Sequence, residues 1–147
     1  MRTRLAREES GFTMPELLVV VVIIGVLAAI ALALFTTQKE KGQDADAKSN
    51  ASGLVSQVDS CYVETGSFID CDGQGPNDDL ANTGLPMGTG RGEVSVTSST
   101  VNTFTVTSTS DQGHHFRVRQ GPSSEQTHTC DAGSSGIDGG GCSNGTW

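Results

Sequence analysis

The hydrophobic pattern changes character three times along the chain. From Leu17 to Phe35 no side chain is charged or strongly polar. As a helix rising about 1.5 Å per residue, this stretch reaches about 28 Å, close to the roughly 30 Å of a bilayer's hydrocarbon core. A helix that is apolar on every side belongs in lipid or deep inside a bundle. A chain only 35% hydrophobic has no core large enough to surround it, so the run is predicted to cross a membrane. Polar residues return at Thr36, and Lys39, Glu40 and Lys41 mark the outer headgroup level. Ala47, Ala51, Leu54, Val55, Val58, Cys61 and Tyr62 then recur at helical spacing, one apolar stripe suited to packing on a head domain. Asp46, Lys48, Gln57, Asp59 and Glu64 take the other faces. Gly42 and Gly53 each weaken the helix by about 1 kcal/mol relative to Ala, and Gly66 is a natural stop. Together the two stretches predict one helix of about 50 residues, half in lipid and half amphipathic.

From Ser67 to Gly92 the chain is rich in Gly, Pro, Asn and Asp and reads as a long connecting loop. After it the period falls to two. Val94 and Val96 alternate with Glu93, Ser95 and Thr97, Phe104 and Val106 with Thr103, Thr105 and Thr107, and Phe116 and Val118 with His115, Arg117 and Arg119. These are half-buried strands separated by turn-forming residues, hence an antiparallel meander. A fourth, weaker strand is expected from Glu125 to Cys130. The apolar face of this sheet is small and needs the helix stripe as its second layer. The fold class expected is α+β, one long N-terminal helix packed on a small antiparallel meander of three or four strands.

Composition narrows the setting. The net charge of −8 makes the chain a poor electrostatic partner for nucleic acid, which rewards clustered Lys and Arg. With 19 glycines, the part beyond the apolar run is expected to be loop-rich around a small core. All four cysteines lie beyond that run, which suits an oxidising exterior and two bridges. Four cysteines allow three pairings, of which Cys61–Cys71 and Cys130–Cys142 close the shortest loops and are expected. Neither pair has the CxxC spacing of a zinc site. The second bridge would convert the Gly- and Ser-rich tail into a defined loop, and Trp147 either folds back onto the sheet or is exposed.

The edges of the apolar run point to its use. An ordinary secretory signal has a shorter apolar core followed by a small-residue cleavage site. Here the Ala-x-Ala triplets lie inside the run, and the processing-like signal precedes it: a short leader with Arg2, Arg4 and Arg7, ending at Gly11, then Phe12, Thr13 and Glu16. GFTMPE followed by LLVVVVIIGVLAAIA resembles the N-terminus of the type IV pilins and their pseudopilin relatives. It matches at the leader Gly, the Phe, the Thr, the Glu and the internal Gly25. The resemblance covers about the first 35 residues and departs from the pattern at Ala33, where many members carry Pro. It implies a pilin-like fold with a leader at 1–11, a transmembrane and assembly helix at 12–36, an amphipathic helix at 37–66 and a disulfide-stapled β head at 67–147. It further implies cleavage between Gly11 and Phe12 by a prepilin peptidase, N-methylation of Phe12, and assembly through Glu16 and Gly25 with other pilin subunits. The chain would sit in the cytoplasmic membrane before assembly and in an extracellular pilus, or an envelope pseudopilus, afterwards.

Glu16 also stands out on physical grounds. A carboxylate at the edge of hydrocarbon is costly unless something neutralises it, and cleavage after Gly11 would create an amine on Phe12. The alternative is a carboxylate that snorkels to the interface without a partner. Elsewhere, Asp70, Asp72, Asp78 and Asp79 faintly resemble a calcium loop, although their spacing is not that of an EF-hand. His114, His115 and His128 could neighbour one another on adjacent strands, but without ligand spacing they read as surface groups. No nucleophile elbow or phosphate loop is present, so neither an enzyme nor a cofactor is expected. The reading is a structural filament subunit. The alternatives are a minor pilin or pseudopilin of a secretion or DNA-uptake system acting as a binding module, and a monomeric single-span protein.

Overall fold

The computed structural model describes residues 11–73, 79–131 and 140–147, without the side chains of residues 33, 37, 79 and 81. The leader positions 1–10 therefore lie outside the described residues. The chain divides into two compact units, Met1–Thr37 and Gln38–Trp147. One helix, α1 (Met14–Thr65), contributes to both.

Both ends of α1 follow from local chemistry. Thr13 precedes the first helical residue, and the Glu16 carboxylate reaches back to its amide and hydroxyl, each at 3.5 Å. Ser/Thr at the cap with Glu three residues later is the capping-box arrangement, loosely closed here. Pro15 falls in the first turn, where a missing N–H leaves no hydrogen bond unmade. At the other end Gly66 takes a φ of 72° while its N–H donates to the Tyr62 carbonyl at 2.8 Å. A left-handed residue just past the last turn is the usual role of glycine as a helix stop.

The four strands are β1 (Val94–Ser99), β2 (Phe104–Thr109), β3 (His115–Gln120) and β4 (Gln126–Asp131), an antiparallel meander in sequential order. The α+β arrangement and three strands are as the alternation predicts, and the weaker fourth strand, expected from Glu125 to Cys130, forms as β4. Val94, Val96, Phe104, Val106, Phe116 and Val118 turn one face of the sheet inward, and all are buried. Ala51, Leu54, Val55 and Val58 of α1 join the same cluster, so stripe and sheet are the two layers of one core.

The described residues of the 67–92 segment are irregular apart from a short 3-10 turn, η1 (Asp79–Asn82), yet they supply more of the core than the segment's composition suggests. Phe68 is buried, stacks on Tyr62 at 4.2 Å between ring centroids and tilts against Phe104 at 4.7 Å. Leu80 is buried as well, and Leu85 and Met87 pack against the cluster. Both expected bridges form, Cys61–Cys71 and Cys130–Cys142. Trp147 folds back: its indole N–H donates to the Thr129 carbonyl at 3.1 Å, and its ring meets Phe116 and His128 edge-on.

Candidate assembly site on the N-terminal helix

Residues of the first unit find little to pack against within the chain. The large apolar side chains between Leu17 and Phe35 range from 49% exposed at Val20 to 68% at Leu32. Helix α1 is long and apolar enough over this stretch to cross a membrane, and none of its most apolar window is buried. Exposed apolar area on this scale is a surface for lipid or for other chains. Phe12, at 83% exposure, and Glu16 lie at the start of this surface.

Two glycines in the segment have open surroundings. A Cβ built on Gly11 or on Gly25 meets nothing within 4 Å, and neither residue has a positive φ. Packing inside the chain therefore does not require glycine at either position. For Glu16 the structure adds an internal role that spacing alone left unnoticed. Its carboxylate closes the helix cap with Thr13, and it lies in the first turn, where the helix dipole favours a negative charge.

The other candidate residues do not form a single site. His114 hydrogen-bonds Asp44, the His115 ring meets the Thr109 hydroxyl at 3.0 Å, and His128 sits against Trp147. Asp70 is exposed and Asp72 partly so, Asp78 lies outside the described residues, and the side chain of Asp79 does too. Among the described residues no three His, Cys, Asp or Glu side chains gather as a metal site would need.

The reading of His114 as a surface group is corrected by the structure. Its side chain is 15% exposed, and the Asp44 side chain opposite it is 2% exposed. Both carboxylate oxygens lie near Nδ1, at 2.9 and 3.1 Å. An ionised carboxylate only accepts, so Nδ1 of His114 carries the hydrogen and donates it. Asp44 stands three residues before Ala47 on the buried stripe, and that offset is the signal sequence reasoning passed over. Around this pair Gln43 donates to Asp111 at 2.8 Å, Gln112 donates to Gln43 at 2.7 Å, and Lys48 donates to the Gly141 carbonyl at 3.2 Å. The Lys48 ammonium also lies 5.0 Å from the Phe116 ring centroid and 5.8 Å from that of Trp147. This polar clasp ties α1 to the turn before β3 and to the disulfide-closed loop.

Comparison with known proteins also reaches this N-terminus. Residues 6–32 match the family described as the prokaryotic N-terminal methylation motif. The type IV major pilin protein PilA of Myxococcus xanthus is 38% identical over 60 residues, a match covering 41% of this chain and 27% of that protein. The match thus spans about a quarter of that relative's length. No solved structure matches. The methylation motif, the pilin relative, and the single long helix followed by a four-stranded antiparallel sheet together support a likeness to the type IV pilins, with which this α+β arrangement is consistent.

Proposed function

We propose that this protein is a structural subunit of a type IV pilus-like extracellular filament. It is held in the cytoplasmic membrane by the apolar part of α1 and polymerises through that helix once the leader is removed. The observation that carries this reading is the apolar surface between Leu17 and Phe35, which the chain itself leaves uncovered. A prepilin peptidase cuts between Gly11 and Phe12, and the new amine is methylated. The leader is 1–11, the membrane and assembly segment 12–36, the amphipathic segment 37–66 and the head 67–147. Lipid covers the apolar segment before assembly, and neighbouring helices cover it in the filament, approaching closely at Gly25.

In this mechanism Glu16 pairs with the Phe12 amine of a neighbouring subunit. Pairing neutralises two charges that the membrane disfavours, and a neighbour at the wrong depth leaves both unpaired, so the pair also sets axial register. Glu16→Gln separates this role from the capping role, because an amide at that position still completes a capping box. Intact mass of the mature protein is expected to show a methylated Phe12 terminus, and Gly11→Val is expected to accumulate uncleaved precursor. Electron microscopy of cells carrying Glu16→Ala or Glu16→Gln is expected to show few or no filaments, with insertion, cleavage and disulfides intact. Normal filament number in both variants would mean that the carboxylate is dispensable and only snorkels. Absence of filaments from the unaltered cells, with the mature protein in the envelope, would favour the pseudopilin or minor-subunit reading.

A further inference from the structure

The inner face of β4 differs from those of the other three strands. Register places His128 beside Val118 and Gln126 beside Gln120, so two of the three inward positions of β4 are polar. Only Cys130 is apolar there, and it is committed to the bridge with Cys142. The result is a groove of about 240 Å³ between α1 and β4, floored by Val55 and Val118 and walled by Ser56, Asp59, Gln126 and His128. It is smaller than the roughly 300–1,000 Å³ of a typical small-molecule site and suits a single headgroup.

The hydrogen bonds lining the groove run in one direction. Gln126 Nε2 donates to Gln120 Oε1 at 3.0 Å, and Gln120 Nε2 donates to Asp59 Oδ1 at 3.3 Å. The Ser56 hydroxyl donates back to the Ser52 carbonyl at 3.2 Å. These bonds use donors of Gln126, Gln120 and Ser56 and leave acceptor capacity on Asp59, Gln126 and Ser56, beside the Ser52 hydroxyl and the His128 ring, which can also donate. Among the described residues no cation lies within ion-pair distance of Asp59. A half-buried carboxylate without a counter-charge, with further acceptor oxygens beside it, favours a ligand that brings both positive charge and several N–H donors.

We infer that this groove is a binding site for a cationic multi-donor headgroup, an ammonium or a guanidinium. The apolar floor takes the first methylenes of its stem, and Asp59, Ser56 and Gln126 take its hydrogens. Such a group can come from a free alkylamine or from a lysine or arginine side chain of a second copy of this chain. One charge-assisted contact at a partly exposed site corresponds to weak binding, with a dissociation constant on the order of millimolar.

The test uses the full chain in a non-ionic detergent, with amide and side-chain resonances followed by NMR. Titration with n-propylammonium or n-propylguanidinium is expected to give saturable shifts at Ser56, Asp59, Gln126 and His128, and 1-propanol is expected to give none. Asp59→Asn should reduce the response at least tenfold. If the natural source is a second copy, the same resonances shift with protein concentration before any amine is added, and that dependence also disappears in Asp59→Asn. If it is a free amine, they move only on titration. An unsaturable response, an equal response to 1-propanol, or an undiminished response in Asp59→Asn would overturn the site.

Discussion

Leu27 and Leu54 lie on the same helix and are opposites in their surroundings, 60% and 0% exposed respectively. In the first unit burial is almost absent. In the second, the face of α1 that carries Leu54 belongs to a continuous core with β1, β2 and β3. Helix propensity and backbone hydrogen bonding are similar in both stretches, so neither accounts for the difference. What differs is where the apolar side chains find a partner. The head buries its apolar side chains within the chain, and the described part of the N-terminal segment leaves its own exposed, as the proposed lipid or helix partners require. An apolar side chain therefore acts on folding in one unit and on partition and assembly in the other.

The sharpest way to break this comparison is a matched pair of truncations. Phe104 is 1% exposed and touches Phe68, so Phe104→Ala is expected to destabilise the head by about 3–5 kcal/mol. Leu27→Ala is expected to leave the unfolding midpoint of the head unchanged, since no side chain of the head core is altered. Chemical denaturation of the detergent-solubilised protein, followed by Trp147 fluorescence, measures both. A loss above about 1 kcal/mol for Leu27→Ala would mean that the first unit takes part in head stability.

The division between the units was legible in the sequence because it rests on long, regular signals. An unbroken apolar run, a helical stripe and three alternating segments each repeat over enough positions to fix an element and its inward face. The fourth strand was weaker for a reason the structure now gives: its inward positions are Gln126, His128 and Cys130, because α1 leaves the groove above them open. Single residues whose meaning depends on distant contacts were not legible. Phe68 lies in a Gly- and Pro-rich loop and anchors the core only because the Cys61–Cys71 turn returns it to Tyr62 and Phe104. Asp44 looked like one more polar helix residue, and His114 like a surface group, until the turn before β3 brought them together across 70 positions. The opposite held at the N-terminus. There the motif singles out Gly11, Phe12, Glu16 and Gly25 for a role outside the chain, and the structure of one chain leaves their surroundings open.

Two further changes ask how tightly the head closes on itself. Gly140 has a φ of 61°, and a Cβ there would overlap the Asp44 carboxylate and lie 2.8 Å from Nδ1 of His114. Asp44 is buried and cannot swing away, so Gly140→Ala combines left-handed strain with loss of the buried hydrogen bond, and is expected to cost about 2–4 kcal/mol. Gly66→Ala is the control. Its φ is 72° but nothing lies within 4 Å of the added Cβ, and only the conformational cost of about 1 kcal/mol remains. Equal effects of the two on thermal unfolding would show that the clasp is not a close contact. Replacing Cys130 and Cys142 together by serine reopens a loop of sequence separation 12, with an expected loss of about 2–3 kcal/mol on loop-entropy grounds.

The smallest expected effect is at Asp59, whose surroundings disfavour its charged form. Burial raises its carboxyl above the ordinary carboxylate value, and the hydrogen bond from Gln120 works against that rise without cancelling it. Ser52, Ser56, Gln120, Gln126 and His128 are the polar groups around it, and none is a fixed cation. A carboxyl with a raised folded-state pKa contributes its full share to stability below the unfolded-state pKa. That share is lost as pH rises through the folded value and the desolvated charge appears. At neutral pH the head therefore bears a small penalty that an amide lacks. Asp59→Asn is expected to match the unaltered protein at acid pH and to unfold slightly later at neutral pH, by less than about 0.5 kcal/mol because the site is partly exposed. A destabilisation of more than about 1 kcal/mol at neutral pH would show that the bond from Gln120 outweighs desolvation. Added n-propylammonium should shrink the neutral-pH difference by neutralising the carboxylate in place. In that respect the groove at β4 is a small counterpart, within the head, of the uncovered helix in the first unit: a surface whose lowest free energy is reached with a partner from outside the chain.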